Sequence, residues 1–354
     1  MVDKIRIRDI AQRSGVSVGT VDRVLHNRPN VSKEAREKVE AVLKHINYRP
    51  NMYASALAYN KQYEFFLLIP QHDSDAYWEE IEEGVDKAVQ MRRDFNISVT
   101  TLHYKLYDRE SYAAMMEQIT TSDTQGVILV PTDLEQTQPF TDRLHERGIP
   151  FVLLDSYIPD LRPLSFYGQD SFSSGYFAAR MLMLVAAGQK ELMLMRQTKN
   201  GQLASRQQKN REVGFNLYMQ EHCPGVTIHE VDLALDIDRS RYDDILEDFF
   251  TSHPAVRHCI TMCSKAHLVA DFLSRTNRRG IQIMGYDMVG KNADGLRNGT
   301  ISFLIAQHAY VQGFHCVDTL FRAVVLKQEI APVNYMPIEL LAKENVNFYR
   351  KAQM

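Results

Sequence analysis

Cysteine is scarce in this chain, with four residues in 354: Cys223, Cys259, Cys263 and Cys316. They form no Cys-x-x-Cys pair and no dense framework, which excludes a disulfide scaffold and suits a reducing cytoplasm. Long apolar runs are missing too. The longest, Met181 to Ala187, is flanked by Arg180 and falls far short of the roughly 20 residues of a membrane-spanning helix. The first residues, Met-Val-Asp-Lys-Ile-Arg-Ile-Arg, are too charged for a secretory leader. Beyond residue 62 there is no Gly-x-Ser-x-Gly, no P-loop and no Gly-x-Gly-x-x-Gly after a strand. Hydrolase and nucleotide-cofactor chemistry therefore have no motif to stand on, and no cofactor is expected. Low-complexity tracts and short-period repeats are absent as well.

What the chain does have is an uneven charge. The total of 41 Lys+Arg against 44 Asp+Glu gives a net of −3. Residues 1–62 hold twelve basic and six acidic side chains, a net of +6, so the other 292 residues carry a net of −9. A small basic head on a large acidic body is a division of labour that the near-neutral total conceals.

The head has helical periodicity broken by turn residues. Ile7, Ile10 and Ala11 mark a short helix that stops at Ser14-Gly15. Ser17 is an N-cap for a second helix with Val21, Val24 and Leu25 on one face. Ser32 can cap a third, burying Ala35, Val39, Val42, Leu43 and Ile46. The tight junction of the first two predicts a helix-turn-helix. Its second helix would present Val18, Asp22 and His26, with Gly19 and Arg23 alongside, to the major groove. There Arg23 can reach guanine O6 and N7, while Thr20, His26, Arg8, Arg13 and Lys33 serve as phosphate contacts. After Tyr48-Arg49-Pro50, Asn51 can cap a segment through Ala58 that is too short to be helical alone in water.

From residue 63 onward, β-rich runs alternate with helical stretches. The runs are Glu64–Ile69, Ile97–His103, Gly126–Val130, Phe151–Leu154, Glu191–Met195, Val226–Val231, His258–Met262, Ile281–Gly285 and Ile301–Ile305. This alternation predicts an α/β body of parallel sheets. Two doubly wound lobes with a cleft between them accommodate that many units, and a TIM barrel is the competing architecture. The expected domains are the small all-α helix-turn-helix head at 1–50, a short, potentially helical segment and linker at 51–62, the two-lobed body at 63–345, and a tail at 346–354.

The residues from Ile7 through Leu25, with Val31-Ser32, Arg36-Glu37-Lys38-Val39 and Asn47-Tyr48-Arg49-Pro50-Asn51, resemble the head of the lactose-repressor/galactose-repressor family of bacterial regulators. That resemblance implies that the segment after Asn51 is a hinge helix folded on the operator, with Leu57 wedged into the minor groove beside Ala54. It also implies that Val18 and Gly19 occupy the base-reading positions, although neither has a side-chain hydrogen bond to offer. Asp22 and Arg6 depart from the family pattern too, so the operator's sequence is not implied.

The body resembles the type 1 periplasmic sugar-binding fold, anchored on Arg211-x-x-Gly214-Phe215 at a helix start, Gly285-Tyr286-Asp287 at a strand end, and Gly168-Gln169-Asp170-Ser171. Open α/β sheets bind ligands beyond their strand C-termini, where Asp155 and Asp287 stand. Either carboxylate can accept two sugar hydroxyls, and Arg211 can donate to ring or hydroxyl oxygens. The resemblance places Asp75, Tyr77 and Trp78 beside a ligand, Trp78 stacking on a sugar ring, and makes Gln307 a polar contact. It also puts Cys263 where an asparagine is usual, so that either Ser264 or Lys265 takes over or the ligand differs from a simple hexose. Cys259, Cys263 and His267 do not match a structural zinc pattern, and no metal is expected.

Together these features predict a ligand-responsive repressor of carbohydrate-utilisation genes. Its partners would be a palindromic operator in double-stranded DNA, a small-molecule effector of sugar type, and a second copy of itself in a homodimer. A purine or sugar phosphate as effector is the alternative, and an enzyme of the cleft a more distant one. Arg23→Ala should weaken specific operator binding by roughly 1–3 kcal/mol. A gel-shift titration checks this, and unchanged affinity would refute the assignment.

Overall fold

The computed structural model describes residues 7–25, 29–46, 61–72 and 77–349. The chain divides into two compact units, Met1–Lys61 and Gln62–Met354.

Among the described residues, three helices build the first unit: α1 (Ile7–Ser14), α2 (Val18–Leu25) and α3 (Lys33–His45). Gly15 ends α1 at a φ of +67°, the left-handed turn that an L side chain resists. Ser17 then caps α2, its hydroxyl accepting from the Thr20 amide at 3.1 Å. Ser32 caps α3 in the same way through Ala35, at 3.2 Å. Only Ile10, Ala11, Val21, Val24 and Val39 form the buried apolar core, rimmed by Ile7, Leu25, Val42 and Leu43 among others. The string Gly15-Val16-Ser17-Val18-Gly19 has the spacing of a hydrolase nucleophile elbow, but here its serine caps a helix and follows no strand.

The second unit holds two open sheets, which excludes the barrel. The N-terminal lobe contains β1 (Tyr63–Pro70), α4 (Tyr77–Met91), β2 (Ile97–Tyr104), α5 (Arg109–Thr121), β3 (Gly126–Leu129), α6 (Leu134–Glu146), β4 (Phe151–Leu154) and β5 (Ser165–Gly168). The C-terminal lobe contains α7 (Ser171–Val185), β6 (Glu191–Lys199), β7 (Gln202–Leu203), α8 (Arg206–His222), β8 (Thr227–Ala234), α9 (Arg241–Ser252) and β9 (His258–Thr261). It continues with α10 (Ala266–Arg275), β10 (Gln282–Tyr286), α11 (Gly290–Asn298) and β11 (Phe303–Ala306). Helix α12 (Ala309–Leu320) then returns to pack on β4 and β5. Strand β12 (Asn334–Tyr335) joins β5, and β13 (Glu339–Leu341) runs antiparallel to β11.

The first sheet has the order β12-β5-β4-β3-β1-β2 with every pair parallel. In the second, β11-β10-β9-β6 run parallel, with β8 on the far side of β6. Each is therefore doubly wound, with its switch point beside β1 or β6. Helices cover both faces, which is why Phe65 to Pro70 are buried without alternation. The chain crosses between the lobes three times, at 168–171, 306–309 and 335–339. Among the described residues, no helix is long and apolar enough to cross a membrane.

Close helix packing sets the second lobe's geometry. A Cβ added at Gly175 of α7 would lie 1.9 Å from the Arg211 carbonyl oxygen, and one at Gly214 of α8 would lie 2.0 Å from that of Phe172. Only glycine lets these helices approach so closely, and Gly84 and Gly313 do the same for α4 and α12.

Three expectations need correction. Arg211 lies within α8, past its first turn, because the helix starts at Arg206 under a Ser205 cap. Strands β5, β7, β12 and β13 fall outside the expected runs; each has four residues or fewer and depends on its neighbour for pairing. Residues 346–349 do not stand apart from the body as a tail, since Val346 is buried in the second lobe's core and Tyr349 packs against it. The expected hinge helix lies in residues outside those described.

Gly214→Ala should destabilise the body by about 1–3 kcal/mol, the usual cost of overpacking. Thermal unfolding of the full chain checks this, and an unchanged midpoint would contradict the close crossing.

Candidate functional site

The two sheets place a carboxylate at the same point of each lobe. Asp155 directly follows β4 and Asp287 directly follows β10, the strands two beyond the switch-point strand in each order. Both residues have left-handed backbones, with φ of +68° and +70°. Each amide is held by the next strand, Asp155 donating to Tyr167 O at 2.8 Å and Asp287 to Ile305 O at 3.0 Å. A conformation this uncommon for a residue with a Cβ, repeated at matched strand ends, marks a place where the fold supports strain to aim a side chain.

Around Asp155 the lobes meet. Its carboxylate accepts the Tyr77 hydroxyl at 3.2 Å and the Gln207 carboxamide from the opposite lobe. Gln207 Nε2 also reaches Ser156 Oγ at 2.6 Å. Asp287 is buried and accepts from Gln307 Nε2 at 2.6 Å. The buried Arg211 donates from Nη1 to Met262 O at 2.9 Å, and its guanidinium lies 4.0 Å above the Tyr286 ring. Its Nε and Nη2 have no hydrogen-bond partner among the described residues. Buried donors left unmatched are costly, so these two N–H groups are suited to a ligand oxygen.

Burial pushes the Asp155 carboxyl up to about 7, with the Arg211 guanidinium opposing the rise and the Asp287 charge adding to it. Burial raises the Asp287 carboxyl as well, against Arg211, the Gln307 hydrogen bond and Lys265. One arginine is shared between two carboxylates that repel each other.

A cavity of about 220 Å³ opens beside this cluster, with Trp78, Tyr104, Tyr107, Asp155 and Gln207 in its lining. That is smaller than the roughly 300–1,000 Å³ of drug-sized sites. Trp78 meets Tyr77 edge-on, with ring centroids 5.0 Å apart. Tyr107 spans the lobes: its hydroxyl donates to Ala204 O at 2.5 Å and the Lys199 ammonium lies 4.3 Å from its ring centroid.

Of the residues expected in the cleft, Trp78 and Asp155 line this cavity, Tyr77, Asp287 and Gln307 line a second, smaller one, Arg211 lines neither, and Asp75 is outside the described residues. Cys263 is half-buried, and burial pushes its thiol up to about 11. Cys263, Ser264 and Lys265 do not line the 220 Å³ cavity. Cys259 is enclosed in the core and His267 Nδ1 sits 3.0 Å from Asn292 Oδ1. Sequence reasoning missed Tyr107 and Gln207. Gln207 stands two residues past the helix cap Ser205, where a signal was available, but Tyr107 follows an edge strand with no pattern of its own.

In the head, Arg8, Arg13, Val18, Gly19, Arg23 and Lys33 are exposed and Thr20 is partly so. The Ser17 and Thr20 hydroxyls are 2.9 Å apart. His26, Asn51, Ala54 and Leu57 lie outside the described residues.

Residues 6–51 match the bacterial regulatory proteins of the lacI family, and residues 65–328 match the periplasmic binding protein domain. The chain is 23% identical over 355 residues to the ribose operon repressor of Lactococcus lactis, covering 98% of this chain and 99% of that protein. It is 26% identical over 287 residues to the transcriptional repressor PurR of Salmonella paratyphi B, covering 80% of each. The crystal structure of a candidate LacI transcriptional regulator from Bacteroides fragilis is 42% identical, with a TM-score of 0.78, and covers 82% of this chain and all of that one.

A carboxyl raised in the folded state favours folding while it stays protonated. That benefit is complete below the unfolded value near 4 and is lost as pH climbs through about 7. Asp155→Asn should therefore raise the unfolding midpoint by at least about 2 °C near pH 8, with the gain vanishing below about pH 4. Thermal unfolding across that range checks it, and a gain independent of pH would contradict the burial of this charge.

Proposed function

The chain belongs to the lacI family of bacterial regulatory proteins, a DNA-binding transcriptional repressor with a periplasmic-binding-protein body, and from that premise we propose that a small neutral sugar held between Asp155 and Asp287 sets its affinity for an operator. The observation that carries this reading is the matched pair of strand-end carboxylates. Two acceptors on opposite lobes suit a ligand that offers hydroxyls on both sides. Arg211 supplies donors between them, and Trp78 supplies an aromatic face for the ring's C–H surface. A ligand with its own negative charge would meet two carboxylates at close range, which favours a neutral sugar. The name of the ribose operon repressor, similar along its whole length, points the same way.

The ligand acts by binding one arrangement of the lobes better than another. It shifts operator affinity only by that difference. In the head, Arg23 reads a base in the major groove, Val18 and Gly19 lie against the base edges, and Ser17 fixes the helix start. Thr20, His26 and Arg8 hold phosphates. Asn51 begins a hinge helix whose Leu57 and Ala54 meet the minor groove. One head covers a half-site, so the working form is a homodimer on a palindrome, in the cytoplasm. The heads' positive charge makes this binding weaken as salt rises.

Lys105 and Arg206 in the cavity lining favour one competing ligand, a sugar phosphate. A thermal-shift panel of neutral sugars, sugar phosphates and purines against the full chain separates the readings. A neutral sugar should raise the midpoint most, and Asp287→Ala should weaken that sugar at least tenfold while leaving the circular dichroism spectrum intact. Stabilisation by sugar phosphates or purines alone, or an undiminished shift in Asp287→Ala, would overturn the proposal.

A further inference from the structure

Away from the cleft, three side chains from three elements converge at the free edge of the first sheet. His72 stands two residues past β1, Glu82 is on α4, and His103 is on the edge strand β2. Each offers one ligand atom, and these atoms all lie within 4.8 Å of one another. Glu82 is central: its Oε2 lies 3.1 Å from His72 Nε2 and its Oε1 lies 2.9 Å from His103 Nε2. The His72 side chain is 10% exposed and that of His103 40%, so the cluster is backed by protein and open on one side.

The other nitrogen of His72 decides what this cluster needs. His72 Nδ1 lies 3.1 Å from the carbonyl oxygen of Pro70. A carbonyl can only accept, so Nδ1 carries the hydrogen and Nε2 is the nitrogen turned toward the Glu82 carboxylate. A 3.1 Å contact between that nitrogen and a carboxylate oxygen can be bridged by a proton or by a metal ion. An Nδ1–H held by a backbone carbonyl with Nε2 left free is also how proteins orient metal-ligating histidines.

We propose that His72, Glu82 and His103 form a binding site for one divalent transition-metal ion of the Zn²⁺ type. Two imidazoles and a carboxylate select such ions over Ca²⁺ or Mg²⁺, which prefer all-oxygen shells. Metal–ligand bonds of about 2.0–2.1 Å in a tetrahedron put ligand atoms roughly 3.3 Å apart. Each Glu82 oxygen already lies within a few tenths of an ångström of that spacing from one imidazole, and the remaining separations, 4.8 Å at most, close as an ion draws the three side chains in. The fourth position faces the open side, where water can fill it. The bound ion ties the end of β1 and strand β2 to α4, whose first two residues are Tyr77 and Trp78, so it steadies one wall of the cleft from outside.

The test is calorimetric titration of the chelator-stripped full chain with Zn²⁺, alongside the visible absorption of the chain loaded with Co²⁺. One ion per chain should bind, with Co²⁺ bands typical of nitrogen and oxygen ligands at low coordination number. His103→Ala and Glu82→Gln should each weaken Zn²⁺ at least tenfold. His229→Ala, which removes the separate His229–Glu191 contact at 3.3 Å, should leave it unchanged. His103 is exposed, so its variant keeps the fold, which circular dichroism verifies. No Zn²⁺ bound by the stripped chain, a Co²⁺ spectrum no different from the aqueous ion, or equal binding in wild type and His103→Ala would each overturn the site.

Discussion

One buried carboxamide holds the three chain crossings between the lobes together. Gln169 lies in the first crossing, and its Nε2 donates to Ala306 O at the second (3.1 Å) and to Pro337 O in the third (2.9 Å). Its Oε1 accepts the Ser174 hydroxyl at 2.7 Å. Every polar atom of this side chain is thus matched, and a buried amide stripped of a partner would cost about 1–3 kcal/mol for each unmet bond. The crossings cannot drift independently, so the strand ends of both lobes face one cleft. Gly168, the residue before, leaves no room for a Cβ against the Phe166 ring and the Asp155 carbonyl. The residue before the pivot is thus packed against the backbone of the first carboxylate residue.

The same network runs on into the second lobe. Ser174 Oγ also lies 3.1 Å from the Tyr286 hydroxyl, and the Tyr286 ring lies beneath the Arg211 guanidinium. Gly175, next in line on α7, lets the Arg211 backbone approach closely enough for this stacking. The side chain proposed to read the ligand is therefore packed on residues that define the pivot. The lobes are also bridged directly, through Gln207 to Asp155 and Tyr107 to Ala204. On the proposed reading, a ligand entering between Asp155 and Asp287 exchanges these bonds for its own. The balance between the two sets decides which lobe arrangement dominates.

Much of this was legible in the residues. The head was, because its helices are local: Ser17, Gly15 and Ser32 act within a few residues of where they stand. The long strands of the body were, because β-branched runs buried on both faces need no partner to be seen. Asp155 and Asp287 were placed by the strand-end rule alone. The four short strands were not, since a segment such as Ser165–Gly168 owes its conformation to Phe151–Leu154 beside it. Gln169 was visible as part of a motif, but not as a clasp, because its partners Ala306 and Pro337 are 137 and 168 residues away. The burial of Val346 was hidden for the same reason: contacts at that separation leave no periodicity.

The central claim is that occupancy of the cleft and affinity for DNA are two readings of one equilibrium. The most direct measurement is the anisotropy of a labelled operator titrated with the full chain at increasing effector, compared between wild type and Arg211→Lys. Operator affinity should change at least tenfold, with half-effect at the effector's own dissociation constant. In Arg211→Lys both midpoints should move together to higher effector while affinity without effector stays the same. An effector that binds without altering operator affinity, or one whose effect on DNA ignores Arg211→Lys, would contradict the account.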